Sequence, residues 1–208
     1  MKNPFDKNLD EFGWEQEIRK DETRIHTYMN ELHNFLDLPG EEDMIIKSLQ
    51  KNPELIPQKA EQGNMPFSDF FDDYEDDFIY SEEWQKKDGS EIYFQLEKLA
   101  YHWNAIFASE LKKENAMLGM KITCLYGKLL ARTADLLDIN AEDFPALRIA
   151  ICKRLIAGFN NISGEFNKME DEQPELKVLI ETHKSHIHIL REKIINLMNK
   201  IRDKKDKK

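Results

Sequence analysis

Five side chains in the N-terminal stretch, Glu22, His26, Asn30, His33 and Asp37, have types and spacing that could do chemistry. Steps of four, four, three and four positions place all five on one helical face. Imidazole nitrogens and carboxylate oxygens suit a divalent cation, and the same groups serve as acid and base in a cleft. His26 and His33 stand two turns apart, about 10 Å along a helix, so a shared ion needs a donor from another helix. His183 in the C-terminal stretch is such a donor, with His186 one turn on and His188 pointing elsewhere. Glu22, His26, His33 and His183 therefore form the candidate ligand or metal set, with His102 as a further lining residue. The plainer account is a solvent face with hydrogen bonds four residues apart, and a core histidine whose nitrogens are satisfied within the fold.

A second group is acidic and aromatic. Residues 66–84 hold eight acids, seven aromatics and no base. Phe67, Phe70, Phe71, Tyr74 and Phe78 fall on one face of a short amphipathic helix opened by Pro66, and Trp84 closes the run. Aromatics give large contact area and acids steer association toward basic surfaces, so these six residues are the candidate partner-binding set. The competing account is that the rings cover one end of the protein's own core. Arg132 is the third candidate: it fills an apolar-stripe position between Leu129 and Leu136. A buried charge there needs a partner such as Asp135, Glu97 or Glu110, or must reach the surface along its stem.

Several catalytic patterns are missing. The chain has no glycine-rich phosphate loop, no GxSxG, no HExxH, no Glu-x-x-His pair and no EExxE. Cys124 and Cys152, the only cysteines, form no CxxC and read as reduced thiols.

The elements that must position these residues are helices. Val178 is the only valine and threonine occurs five times, too few β-branched residues for a sheet of any size. Isoleucines recur at helical spacing instead. A first helix is expected from about Gly13 to Asp37, followed by a short one from Glu41 to about Gln50 and a loop over 52–66. Lys87–Ser90 reads as a turn with Ser90 as N-cap. A stripe from Ile92 to Leu111 predicts the next helix, with a kink or tight connection at Lys113–Asn115. Another stripe, Leu118 to Leu136, carries a row of small residues (Ala116, Thr123, Gly127, Ala131, Ala134) that suggests a central helix. Pro145 to about Asn160 is apolar almost all round and should be buried. Gly164 and Glu170–Glu172 then read as a loop. A heptad-like stripe from Leu176 to Ile201 predicts the last helix, ending in a basic tail at 203–208. The expected fold class is all-α: an antiparallel bundle of about four long helices with short extra ones. It is read as one helical domain over 1–208, comprising N-terminal helices at 13–50, an acidic aromatic linker segment at 52–88, main bundle helices at 90–202 and the tail.

The 208 residues carry 40 acids against 30 bases, net −10. Residues 1–89 hold −13 of this and residues 90–208 hold +3, so the acidity belongs to the N-terminal part. That balance argues against direct nucleic-acid binding, whose affinity rests on neutralising phosphates. No apolar run approaches the length of a membrane span, and the first residues lack a signal core, so a cytoplasmic protein is expected. These readings favour a non-enzymatic interaction or scaffold protein that binds another protein or a second copy of itself. The alternative is an enzyme or a small-molecule or metal-binding bundle with a polar pocket between helices. No cofactor is expected beyond a divalent metal on the histidine set.

Overall fold

A computed structural model describes residues 9–35, 44–45, 47–48, 82–139 and 144–206. Among these, every regular element is helical: α1 (Glu11–Phe35), a one-turn helix (Glu82–Gln85), α2 (Ser90–Glu110), α3 (Ala116–Asp138), α4 (Pro145–Glu172) and α5 (Lys177–Asp206). The all-α class expected from composition is the class observed. Short 3₁₀ turns at Lys113–Asn115 and Pro174–Leu176 precede α3 and α5. The first of these turns resolves the choice at Lys113–Asn115 in favour of a tight connection. The chain divides into two compact units, Met1–Tyr74 and Glu75–Lys208.

In the first unit, α1 begins earlier than its hydrophobic pattern suggests because Asp10 caps it. The Asp10 Oδ1 accepts a hydrogen bond from the Gly13 amide at 2.8 Å. Ion pairs within the helix, Arg19–Glu15, Lys20–Glu17 and Arg24–Asp21, support its polar side. Ile18 is buried, whereas Ile25 and Met29 from the same stripe are exposed. The expected helix from Glu41 is helical at 44–45 and 47–48, and the rest of it lies outside the described residues.

In the second unit, α2 packs on α3, α3 on α4, α4 on α5, and α5 back on α2. The α2–α5 and α4–α5 pairs run antiparallel, because partner numbers fall on one helix as they rise on the other. On α2 and α5, His102 meets His183 and Gln95 meets Lys193, and Asp88, in the turn before α2, meets Lys200. On α4 and α5, Glu170 meets Lys177 and Asn160 meets Arg191. Burial of Leu96, Trp103, Ile122, Leu136, Leu155, Phe159, Phe166, Ile180 and Ile194 builds the core.

Three local expectations change. The loop expected at Gly164–Glu172 is the last part of α4, since Ile162, Phe166 and Met169 continue its buried stripe past the glycine. Ser90 is not the N-cap of α2; Gly89 occupies that place at φ 102°, and the Ser90 hydroxyl donates back to the Gln85 carbonyl at 2.6 Å. The small-residue row on α3 does not mark a close helix contact. Gly127 and Ala131 are exposed, and a methyl group on Gly127 would meet nothing within 4 Å. The glycine that does permit close approach is Gly158 on α4, whose added Cβ would stand 2.8 Å from Leu129 Cδ2.

Candidate functional site

The side chains with the most chemistry per unit volume meet where α2, α3 and α5 converge. His183 lies in the buried stripe of α5 and is 0% exposed. An imidazole there must hand both ring nitrogens to protein partners, because an unsatisfied buried polar atom costs about 1–3 kcal/mol. Both are satisfied. Tyr126 of α3 approaches Nδ1 with its hydroxyl at 2.7 Å, and His102 of α2 shares a 3.0 Å hydrogen bond between its Nδ1 and His183 Nε2. The two imidazole rings lie nearly parallel, 14° apart, with centroids 5.2 Å apart, as an in-plane hydrogen bond between them requires. Trp103 stands edge-on at 6.0 Å, and Phe166 of α4 is tilted at 5.5 Å. Three apolar or weakly polar rings thus box the imidazole, while His102 carries the chain out to solvent.

Burial keeps the two inner members of this chain, His183 and Tyr126, neutral. Burial, then the nearby His102 and His186, lower the His183 pKa from 6.5 to about 4. Burial also raises the Tyr126 hydroxyl well above the ordinary phenol value, so it retains its proton. A protonated phenol donating to Nδ1 leaves the His183 proton on Nε2, where it donates to His102 Nδ1.

The remaining candidates fall as follows. His26 Nδ1 lies 3.0 Å from Asn30 Nδ2, the i, i+4 hydrogen bond of a polar helix face. Glu22 is half-buried on the same helix; the side chain of His33 and the whole of Asp37 lie outside what the structure describes. His183 instead engages Tyr126 and His102 of its own unit. Among the described residues, no three histidine, cysteine, aspartate or glutamate side chains gather as a metal cluster.

Arg132 is not a buried charge. Its side chain is 27% exposed and pairs with Asp135 at 3.5 Å, the first of its expected partners. The buried guanidinium belongs to Arg148 on α4, 7% exposed, whose Nε meets no hydrogen-bond partner. Phe67, Phe70, Phe71, Tyr74 and Phe78 lie outside the described residues. Trp84, placed in the partner-binding set from sequence, is not available to a partner. It is 1% exposed, donates from Nε1 to Asp138 Oδ1 at 3.0 Å, and meets Tyr93 and Phe94 edge-on. Its indole anchors the segment before α2 to the end of α3, with Lys87 pairing to the same carboxylate.

Two polar features escaped the sequence reading. Tyr126 stands one position after Leu125 of the predicted stripe and was invisible as a partner of His183. Gln173 is the other: its Nε2 donates to the Glu110 carbonyl at 3.0 Å, and its Oε1 accepts from Asn115 Nδ2 at 3.2 Å. One buried amide thereby ties the ends of α2 and α4 to the start of α3. A polar residue before Pro174, where α4 must stop, is the only signal that could have marked it. Of the two thiols, Cys124 is exposed and Cys152 is buried, its pKa pushed up to about 12 by that burial, so Cys152 stays an inert core residue.

Fold and cluster together define an all-α protein whose second unit holds a tyrosine–histidine–histidine hydrogen-bond chain running from core to surface. No family model, curated protein or solved structure matches the chain. No helix among the described residues is long and apolar enough to cross a membrane.

Proposed function

We propose that this chain is a non-enzymatic interaction protein. A packed helical unit carries the acidic aromatic stretch ending at residue 84, and that stretch docks a basic surface on another protein or on a second copy of the chain. The observation that supports the reading is the anchoring of Trp84. With this indole sealed against Tyr93, Phe94 and Asp138, the C-terminal end of the stretch is fixed to packed helices. Phe67, Phe70, Phe71, Tyr74 and Phe78 would supply contact area and the acids between them would steer a basic partner toward it. The engagement of both His183 nitrogens points the same way, because a histidine that does acid–base work needs a nitrogen open to substrate.

The test is the triple variant Phe70→Ala, Phe71→Ala, Tyr74→Ala, compared with wild type by thermal melting, by light scattering after size exclusion, and by retention on immobilised basic peptides. Docking predicts an unchanged melting temperature with loss of self-association or of salt-sensitive retention. A fall of several degrees in melting temperature would assign the rings to the protein's own core and overturn the reading. A metal-binding helical protein is the second reading, favoured by the gathering of histidines where α2 meets α5.

A further inference from the structure

The seam between α2 and α5 is registered by Lys193, which bonds Gln95 at 3.1 Å and pairs with Glu91 at 3.7 Å. A step of seven from Lys193 and from Gln95, in opposite directions along the two sequences, reaches His186 and His102. Antiparallel helices in a near-heptad register drift only about 20° per heptad, so this second rung keeps the geometry of the first. One observation places the rings in the same neighbourhood independently of that count. His102 bonds His183, one helical turn from His186. His102 and His186 are both exposed.

The hydrogen bonds also orient the nitrogens. His186 Nδ1 lies 2.8 Å from the Thr182 carbonyl one turn back, which holds the proton on Nδ1 and leaves the Nε2 lone pair facing away from its own helix. His102 is tied through Nδ1 as well, to His183, so its Nε2 is the nitrogen left toward solvent. Metal-bound histidines generally have this arrangement, the second nitrogen being bonded to a carbonyl or another side chain that fixes the ring.

We propose that His102 Nε2 and His186 Nε2 bind a borderline divalent cation of the zinc, nickel or copper type across the α2–α5 seam, with water or an exogenous ligand completing its coordination. Imidazole suits these metals, whereas magnesium and calcium require oxygen donors. Binding needs the His102 lone pair on Nε2, hence its proton on Nδ1. The hydrogen-bond chain then reverses without movement of a heavy atom. His102 Nδ1 donates to His183 Nε2, the His183 proton sits on Nδ1, and the Tyr126 oxygen accepts it. His102 and His186 are ligands, and His183 and Tyr126 are positioning residues. The candidate set drawn from α1 plays no part.

The experiment is zinc titration of the full chain by calorimetry, repeated with His186→Ala, His102→Ala and His26→Ala. One zinc per chain is expected, weakened at least tenfold in His186→Ala and in His102→Ala and unchanged in His26→Ala. Nitrogen-15 shifts of the His183 ring supply a readout that a merely structural role would not move: zinc should transfer the proton from Nε2 to Nδ1. His186 is exposed, so its alanine variant should fold, and matching circular dichroism spectra establish that directly. Absence of binding, binding indifferent to His186→Ala, equal loss in His26→Ala, or an unmoved His183 proton would each overturn the assignment.

Discussion

His183 shows how one buried side chain ties local chemistry to stability. Its folded pKa of about 4 lies below the ordinary 6.5, so between those values the unfolded chain takes up a proton that the folded chain refuses. The neutral ring contributes its full stability above pH 6.5. That contribution declines as pH falls from 6.5 to 4 and changes no further below that. The difference is on the order of 3 kcal/mol, one pKa unit being about 1.4 kcal/mol. The groups facing the ring are His102 from α2, Tyr126 from α3 and His186 from its own helix, while α4 presents the uncharged Phe166. Urea unfolding at pH 7, 5.5 and 4.5 is expected to show this decline, and His183→Gln, which keeps hydrogen-bonding capacity without titrating, should flatten it. An equal slope in wild type and variant would place the acid sensitivity elsewhere. Arg148 is the other residue with an energetic cost, its pKa lowered chiefly by burial. Nothing in the structure explains its unpartnered Nε.

At the scale of elements, two glycines with opposite roles make a matched test. Gly89 holds φ 102° between the Lys87 turn and α2, a left-handed conformation that a side chain resists, and an added Cβ would also approach Leu197 Cδ2 at 3.1 Å. Gly89→Ala should cost about 1–2 kcal/mol. Gly127 sits in the middle of α3 with open space beside it, so Gly127→Ala should stabilise by about 0.5–1 kcal/mol through helix propensity. Denaturation midpoints of the two variants should therefore move in opposite directions. The sequence shows both residues as glycines in or beside a helix. Only backbone dihedrals and neighbours assign the signs. The same distinction explains the misplaced loop after Gly164: glycine and three acids read as a break, but Ile162, Phe166 and Met169 bury enough apolar surface to carry the helix through.

For the whole molecule, the distribution of core and charge matters more than the net of −10. Among the described residues, every one of the largest fully buried side chains except Ile45, including Trp84, Trp103, Tyr126, Phe159 and Phe166, lies within Glu75–Lys208. A fragment spanning 75–208 should thus unfold cooperatively in urea with its helical signal intact at zero denaturant. A broad, non-cooperative transition would show that the unit depends on residues 1–74. Because residues 1–74 carry −9 and residues 75–208 carry −1, separating the two parts also separates an acidic from a near-neutral piece.

By itself the sequence determined the all-α class and the location of the acidity; it underestimated the number of long helices and ended α4 too early. Apolar spacing, scarce β-branched residues and charge are properties of neighbouring positions along the chain, and they can be read there. Tertiary structure decided which polar residues meet. His183 looked like a partner for histidines on the first helix, yet its hydrogen bonds go to Tyr126, 57 positions away, and His102, 81 positions away. Trp84 looked like the end of a binding surface and is a buried anchor instead. Arg132 looked buried, and Arg148 is. Each of these reversals depends on the rotation of one helix about its axis against another. Side-chain packing across the whole interface sets that rotation, and a stripe on a single helix leaves it undetermined.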